Sequence, residues 1–257
     1  MTEMRSLRKL WDDGGTALGA WISLREPFLA EIAATSGYDY VCIDMQHGLS
    51  DYDDVVGMLQ AMARTPTAPV VRVPWNEQGI IGRVLDAGAL GVIIPMVNTP
   101  DEARRAVEAC RYAPAGSRSF GPLAVAARYG SDYMGRPNDV VACIPMIETK
   151  QAVEAIDDIL AVPGIDAVYI GPADLSITYG LAPGIDNPDQ SFVGALETVV
   201  ASCLRHGVVP GIHSSAELAA KRHAGGFRLI TVGFDAAPAM QALRADAKAA
   251  RAAVTPA

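Results

Sequence analysis

Eight short Val/Ile-rich runs, most of them bounded by Gly or Pro, recur along the chain, and longer Ala-, Leu- and Glu-rich stretches separate them. No other feature restricts the fold as tightly. A run that is apolar at nearly every position reads as a strand covered on both faces, and such strands belong to parallel sheets with crossover helices. The predicted strands are residues 17–23, 38–43, 69–73, 91–95, 140–147, 167–170, 208–212 and 229–232. Predicted helices include 27–36, 51–64, 100–111 and 150–160, with the Ala-rich stretch 236–253 as the last.

Eight such repeats in 257 residues fit a single α/β domain over the whole chain, a (β/α)8 TIM barrel, because closed barrels run to about 250 residues. An open doubly wound sheet is the alternative. Its dinucleotide-binding form lacks support, since no Gly-x-Gly-x-x-Gly opens a helix after the first strand. Residues 113–139, rich in Gly, Pro and Arg, break the rhythm. A connection that long is expected to be functional or disordered.

A net charge of −8 excludes double-stranded nucleic acid as the expected partner, because that binding needs clustered Lys and Arg. Small anions are not excluded by it. The N-terminal stretch lacks the apolar core of a signal peptide, and no apolar run is long enough to span a bilayer, so the expected location is the cytoplasm, away from membranes. Cys42, Cys110, Cys143 and Cys203 lie far apart without a Cys-x-x-Cys spacing, which reads as buried free thiols.

In a barrel the chemistry gathers where strands run out into the loops that follow them. Strand two ends in Asp44-Met45-Gln46-His47-Gly48, strand three in Arg72, strand five in Glu148, strand six in Gly171-Pro172-Ala173-Asp174, and strand seven in His213. Glu148 and Asp174 come from successive strands. As neighbours they would repel, and a hard divalent cation such as Mg²⁺ or Mn²⁺, with Co²⁺ or Zn²⁺ as further options, would relieve that repulsion. As separate groups each would instead cap a helix start.

Arg72 sits inside a buried β-run and therefore needs an anionic partner. It forms either a structural ion pair, with Asp44 or Asp86, or a cationic anchor for a developing oxyanion. His47 is either a surface residue or a general base placed near a carboxylate such as Asp44, with Gly48 leaving room for ligand. His213 is a weaker candidate for the same role, while His206 and His223 read as surface residues. None of Lys9, Lys150, Lys221 and Lys248 closes a strand, so a Schiff-base mechanism lacks its amine. Neither a Gly-x-Ser-x-Gly elbow nor a Walker loop is present.

Over almost its whole length the chain resembles the HpcH/HpaI aldolases, metal-dependent pyruvate aldolases acting on 4-hydroxy-2-oxo acids and 2-keto-3-deoxy sugar acids. The matching stretches include Gly19-Ala20-Trp21, Ile43-Asp44-x-x-His47, Val71-Arg72-Val73-Pro74, Leu85-Asp86-x-Gly88-Ala89, Ala127-Arg128-Tyr129-Gly130 and Ile147-Glu148-Thr149. The most specific runs from Tyr169 through Gly171-Pro172-Ala173-Asp174 to Ser176.

The resemblance implies a class II aldolase that reversibly cleaves a 4-hydroxy-2-oxo acid to pyruvate, or a close 2-oxo acid, and an aldehyde. It implies Glu148 and Asp174 as metal ligands, Arg72 at the enolate oxygen, and His47 in proton transfer through a water. The amides of Ala173 and Asp174 would hold the carboxylate, and Trp21, Asp44, Gly171, Pro172 and Ile212 would shape the substrate pocket. It also implies a homo-oligomer, a hexamer built as a trimer of dimers or dimer of trimers with an exchanged C-terminal helix. Gln46 and Met146 depart from the usual Glu and Gln of the pattern. A lyase for malyl-CoA or citramalyl-CoA thioesters is an alternative with no long basic surface to recommend it, and a silent 2-oxo-acid-binding barrel is another.

Overall fold

The structure is a computed structural model and describes residues 4–254. Eight parallel strands form it: β1 (Ala17–Ile22), β2 (Tyr40–Asp44), β3 (Ala68–Arg72), β4 (Gly91–Ile94), β5 (Ala142–Pro145), β6 (Ala167–Ile170), β7 (Val209–His213) and β8 (Leu229–Phe234). Their order is β5-β4-β3-β2-β1-β8-β7-β6, and a parallel bridge between Met146 and Tyr169 joins the two outer strands. The ring closes there, which removes the open-sheet alternative.

The strands read as continuous apolar runs because both faces are buried, yet the two faces pack against different partners. One set, including Tyr40, Cys42, Val70, Ile93, Ile144, Tyr169 and Leu229, fills the barrel interior. The alternate set, including Val41, Ile43, Val71, Val92, Cys143, Val168, Ile170, Ile212 and Ile230, packs with the surrounding helices. Successive Cβ atoms of a strand point to opposite faces, so this division follows the period of two. Gly19 completes the interior packing: a Cβ there would overlap the Tyr40 ring.

The helices start where the sequence supplies caps. Asp51 and Thr99 form capping boxes with Asp54 and Glu102 at the starts of Tyr52–Ala61 and Pro100–Cys110, each satisfying orphan N–H groups of the first turn. Residues 150–160 form two short helices, Lys150–Glu154 and Ile156–Leu160, which meet at Ala155. The fifth predicted strand is shorter than expected. Pro137–Val140 is a helical turn and only Ala142–Pro145 pairs as β5.

The long connection after β4 is ordered. It holds Leu123–Tyr129, Ser131–Met134 and Pro137–Val140, anchored by the buried Arg118, which donates to Asp86 and to the Tyr133 hydroxyl. A further helix, Leu7–Asp12, precedes β1. The final helix, Ala236–Val254, has no buried residue. All four cysteines are buried and free, and among the described residues no helix is long and apolar enough to cross a membrane.

Candidate active site

A cavity of about 250 Å³ opens at the C-terminal end of the strands, lined among others by Trp21, His47, Arg72, Glu148, Tyr169, Asp174 and His213. Four of the strands deliver one of these groups two residues beyond another interior-facing position: Trp21 after Gly19, Arg72 after Val70, Glu148 after Met146, His213 after Gly211. A wider cleft of about 420 Å³ lies at the opposite end, among Arg5, Lys9, Asp13 and Arg64. It gathers no converging carboxylates.

Arg72 and Asp44 form a bidentate pair, Nε to Oδ1 at 2.8 Å and Nη2 to Oδ2 at 2.6 Å. Both side chains are almost fully enclosed, so the Asp44 side of the sequence alternative is the observed one, while Asp86 pairs with Arg118. Asp44 also accepts from Trp21 Nε1 at 3.2 Å and from the Gln46 and His47 amides at 3.0 and 3.4 Å. Burial alone would raise the Asp44 carboxyl, but these donors, Arg72 foremost, hold it below the usual carboxylate range. The Arg72 guanidinium lies 4.8 Å from the Trp21 ring centroid, and Arg72 also lines the cavity. It is therefore both an ion-pair partner and a cation offered to ligand.

Glu148 is 2% exposed and accepts the Met96 amide on Oε1 at 2.8 Å. Met96 holds that position with a positive φ of 56°, a left-handed conformation that non-glycine residues seldom adopt. Burial, reinforced by the charge of Asp174, pushes the Glu148 carboxyl up to about 7 against the opposing pull of the Met96 amide and Arg72. Gly171 leaves space for the other oxygen, since a Cβ there would overlap Glu148 Oε2. Neither carboxylate is an N-cap: Thr149 caps the helix after Glu148, and Asp174 lies inside the first turn of Pro172–Thr178, whose N-cap is Gly171. Among the described residues, no group of three or more His, Cys, Asp or Glu side chains is placed to hold a metal ion.

His47 lines the cavity from an exposed position, and only its backbone N–H reaches Asp44. Gly48 serves the turn rather than the ligand, because a Cβ there would overlap the Asp44 carbonyl oxygen. Ile212 does not line the cavity. Its fully buried side chain belongs to the helix-facing layer, and its neighbour His213 faces the cavity instead. Gly171, Pro172 and Ala173 all line it. Ser23, Met146, Ile185 and Phe234 complete the lining; sequence reasoning did not single out Ser23, Ile185, Phe234 or the Met96 amide, and gave Tyr169 no role beyond opening a matching stretch. Tyr169 was within reach of it, two residues before Gly171 on the same strand face.

The HpcH/HpaI aldolase/citrate lyase model matches residues 17–242. A hydroxypyruvate/pyruvate aldolase of Rhizorhabdus wittichii is 40% identical over 250 residues, 96% of this chain and 100% of the relative. A 4-hydroxy-2-oxo-heptane-1,7-dioate aldolase of Salmonella dublin is 40% identical over 242 residues, 93% of this chain and 90% of the relative. Among solved structures, an HpcH/HpaI aldolase/citrate lyase family protein from Burkholderia cenocepacia J2315 superposes with a TM-score of 0.86 at 35% identity, covering 96% of this chain and all of the other. Together with the strand-end constellation, these similarities place the chain among the carbon–carbon lyases of the aldolase type: it belongs to the HpcH/HpaI aldolase/citrate lyase family.

Proposed function

We propose that the chain is a divalent-metal-dependent aldolase that cleaves, and reversibly forms, a 4-hydroxy-2-oxo acid, with pyruvate or hydroxypyruvate as the 2-oxo acid product and an aldehyde as the other. The observation that carries this reading is the pair of carboxylates, buried Glu148 and exposed Asp174, that line one cavity with an arginine fixed by Asp44. Glu148 and Asp174 fit a hard cation: a desolvated carboxylate beside a like charge is stabilised by one, and two carboxylates leave coordination positions for substrate oxygens. We assign the cation as Mg²⁺ or Mn²⁺. When bound, it would supply Lewis acidity toward the keto oxygen.

The protein's own groups supply the rest. Arg72, held in orientation by both Asp44 oxygens, presents a preorganised positive charge to the keto oxygen as negative charge builds there. The helix Pro172–Thr178 begins at the cavity, and its first N–H groups, those of Ala173 and Asp174, have no acceptor within the helix, which suits them to the substrate carboxylate. His47, at the cavity mouth, moves protons through a water, to and from both the aldol hydroxyl and the methyl carbon of the 2-oxo acid. The final helix, 236–254, exposes Met240, Leu243 and Val254, and a homo-hexamer in which a second copy receives it accounts for that surface.

Exchange of the methyl protons of pyruvate tests the reading without knowledge of the aldehyde. Exchange is expected to stop on chelation and return with Mg²⁺ or Mn²⁺. His47→Ala is expected to keep metal and pyruvate affinity and lose exchange. Full exchange in metal-free protein would remove the metal from the reading, and wild-type exchange in His47→Ala would move the proton-transfer role elsewhere.

A further inference from the structure

Beneath the cavity lies a hydrogen-bonded chain whose protons can be counted. Tyr40 Oη is 2.7 Å from Thr231 Oγ1, the same Thr231 oxygen contacts Tyr169 Oη, and Tyr169 Oη is 3.1 Å from His213 Nδ1. Tyr40, Thr231 and Tyr169 are 0% exposed, so these contacts must satisfy them. Three hydroxyl protons meet three contacts when Nδ1 is bare: Tyr40 donates to Thr231, Thr231 to Tyr169, and Tyr169 to Nδ1. A proton on Nδ1 would bring four protons to three contacts and leave one donor stranded in the barrel interior, which burial penalises. The imidazole therefore carries its proton on Nε2.

The ring itself is fixed and neutral. Trp21 and Phe234 lie against it, each with ring centroids 4.9 Å away. Burial, and then the charge of Arg72, push its pKa down to about 4. Among the described residues Nε2 has no hydrogen-bond partner, and it is absent from the enclosed side-chain atoms that lack one. It therefore opens onto the cavity that His213 lines. The wall around it is otherwise aromatic, so a single N–H donor there serves a ligand oxygen. The 2-oxo acid core already has Arg72 and the amides of the helix at Pro172 as its donors.

We propose that His213 is a specificity-determining residue, donating Nε2–H to a substrate hydroxyl outside the 2-oxo acid core and so favouring hydroxylated substrates over their deoxy counterparts. This rests on the aldolase reading above. The hydroxyl belongs either to C3 of the 2-oxo acid or to the aldehyde, and the experiment separates the two. Values of kcat/KM are measured for wild type, His213→Leu and His213→Gln with hydroxypyruvate against pyruvate and with glycolaldehyde against acetaldehyde.

In wild type the hydroxylated partner is expected to be preferred in one of the two pairs. That preference should fall about tenfold in His213→Leu, the worth of one neutral hydrogen bond, and recover in part in His213→Gln, which keeps an N–H donor. The pair whose preference collapses names the source of the hydroxyl. Imidazole ¹⁵N signals of the wild-type protein at neutral pH should show a protonated Nε2 and a bare Nδ1. No preference in wild type, a preference unchanged by His213→Leu, an equal loss on hydroxylated and deoxy partners, or a protonated Nδ1 would each overturn the proposal. Absence of any aldol activity in the wild-type enzyme would instead overturn the reading beneath it.

Discussion

The barrel carries a buried arginine–carboxylate pair at each end, and the two are built for different work. At the N-terminal end, Arg111 donates to the carbonyls of Val141 and Gly164 and to Asp166 Oδ2 at 2.5 Å, while Asp166 also takes the Cys143 amide and Arg8. Both of its Nη groups are engaged by the fold, and neither lines the cavity. At the C-terminal end, Arg72 spends Nε and Nη2 on Asp44 and keeps Nη1 clear of protein partners among the described residues, in a residue that lines the cavity. A pair whose guanidinium also holds two backbone carbonyls ties loops together. A pair with one nitrogen free of protein partners at the cavity wall keeps a fixed positive charge there, as the role proposed for Arg72 at the keto oxygen requires.

Replacing the N-terminal arginine should expose this contrast most strongly. Arg111→Leu leaves Asp166 buried with only Arg8 opposite it, and losing one partner of a buried pair costs about 3–5 kcal/mol. We expect about 3 kcal/mol, because the Arg8 contact survives, with kcat of the folded fraction within about twofold of wild type, as befits a group that touches no substrate. Denaturant unfolding and steady-state kinetics read the two quantities. A large loss of kcat with unchanged stability would erase the distinction between the ends.

Arg72→Lys is the mirror experiment. It keeps the charge and loses the planar fork that Asp44 orients, so kcat should fall at least about a hundredfold, the effect of losing one oxyanion donor. The effect should fall on kcat more than on KM, since charge accumulates on the keto oxygen only as the bond breaks. A change in KM alone would assign Arg72 to ground-state binding.

The carboxylates at the two ends also differ in company, and this gives a pH test. Asp166 faces two guanidinium groups, whereas burial and the nearby charge of Asp174 lift Glu148 to about 7. Below that pH Glu148 holds a proton that a cation must displace. Affinity for Mg²⁺ or Mn²⁺ should therefore fall with decreasing pH, by about tenfold per unit below pH 7, and level off above it. Calorimetric titrations between pH 5.5 and 8.5 would follow the trend, and a flat profile would show that Glu148 is not the group that binds.

How far the site is legible in the sequence depends on whether a residue sits on a strand. Trp21, Asp44, Arg72, Glu148 and His213 each follow an apolar run by a fixed step, and the architecture alone says that such positions meet at one end. The partner of Arg72 was narrowed to two candidates and the structure chose Asp44. Met96 is a different case. Its backbone amide acts on Glu148 only because φ turns positive after Pro95, and nothing in a methionine's side chain announces that. The same holds for Ile185, which a long connection brings to the cavity, and for the Tyr40–Thr231–Tyr169 chain, whose members lie on three strands and meet only once the barrel has closed. Residues 113–139 read as a loop because Gly, Pro and Arg interrupt their periodicity, yet short helices pinned by Arg118 use that composition well.

Ile212 gives the smallest and sharpest of the tests, because here the period of two and the resemblance point in opposite directions. Counting from Gly211 and His213, which face the barrel interior and the cavity, Ile212 must face the helices, and the structure places it there, fully buried. Ile212→Val removes one methylene from that layer and should cost about 0.5–1.5 kcal/mol of stability. Its kcat/KM should stay at the wild-type value for every donor and aldehyde, since a side chain on the far side of the strand cannot touch substrate. His213, one residue on, should show the reverse, with altered substrate preference and a smaller effect on unfolding. If Ile212→Val shifts substrate preference while unfolding is unchanged, strand β7 presents the opposite face to the cavity, and the assignment of every interior group on that strand must be exchanged.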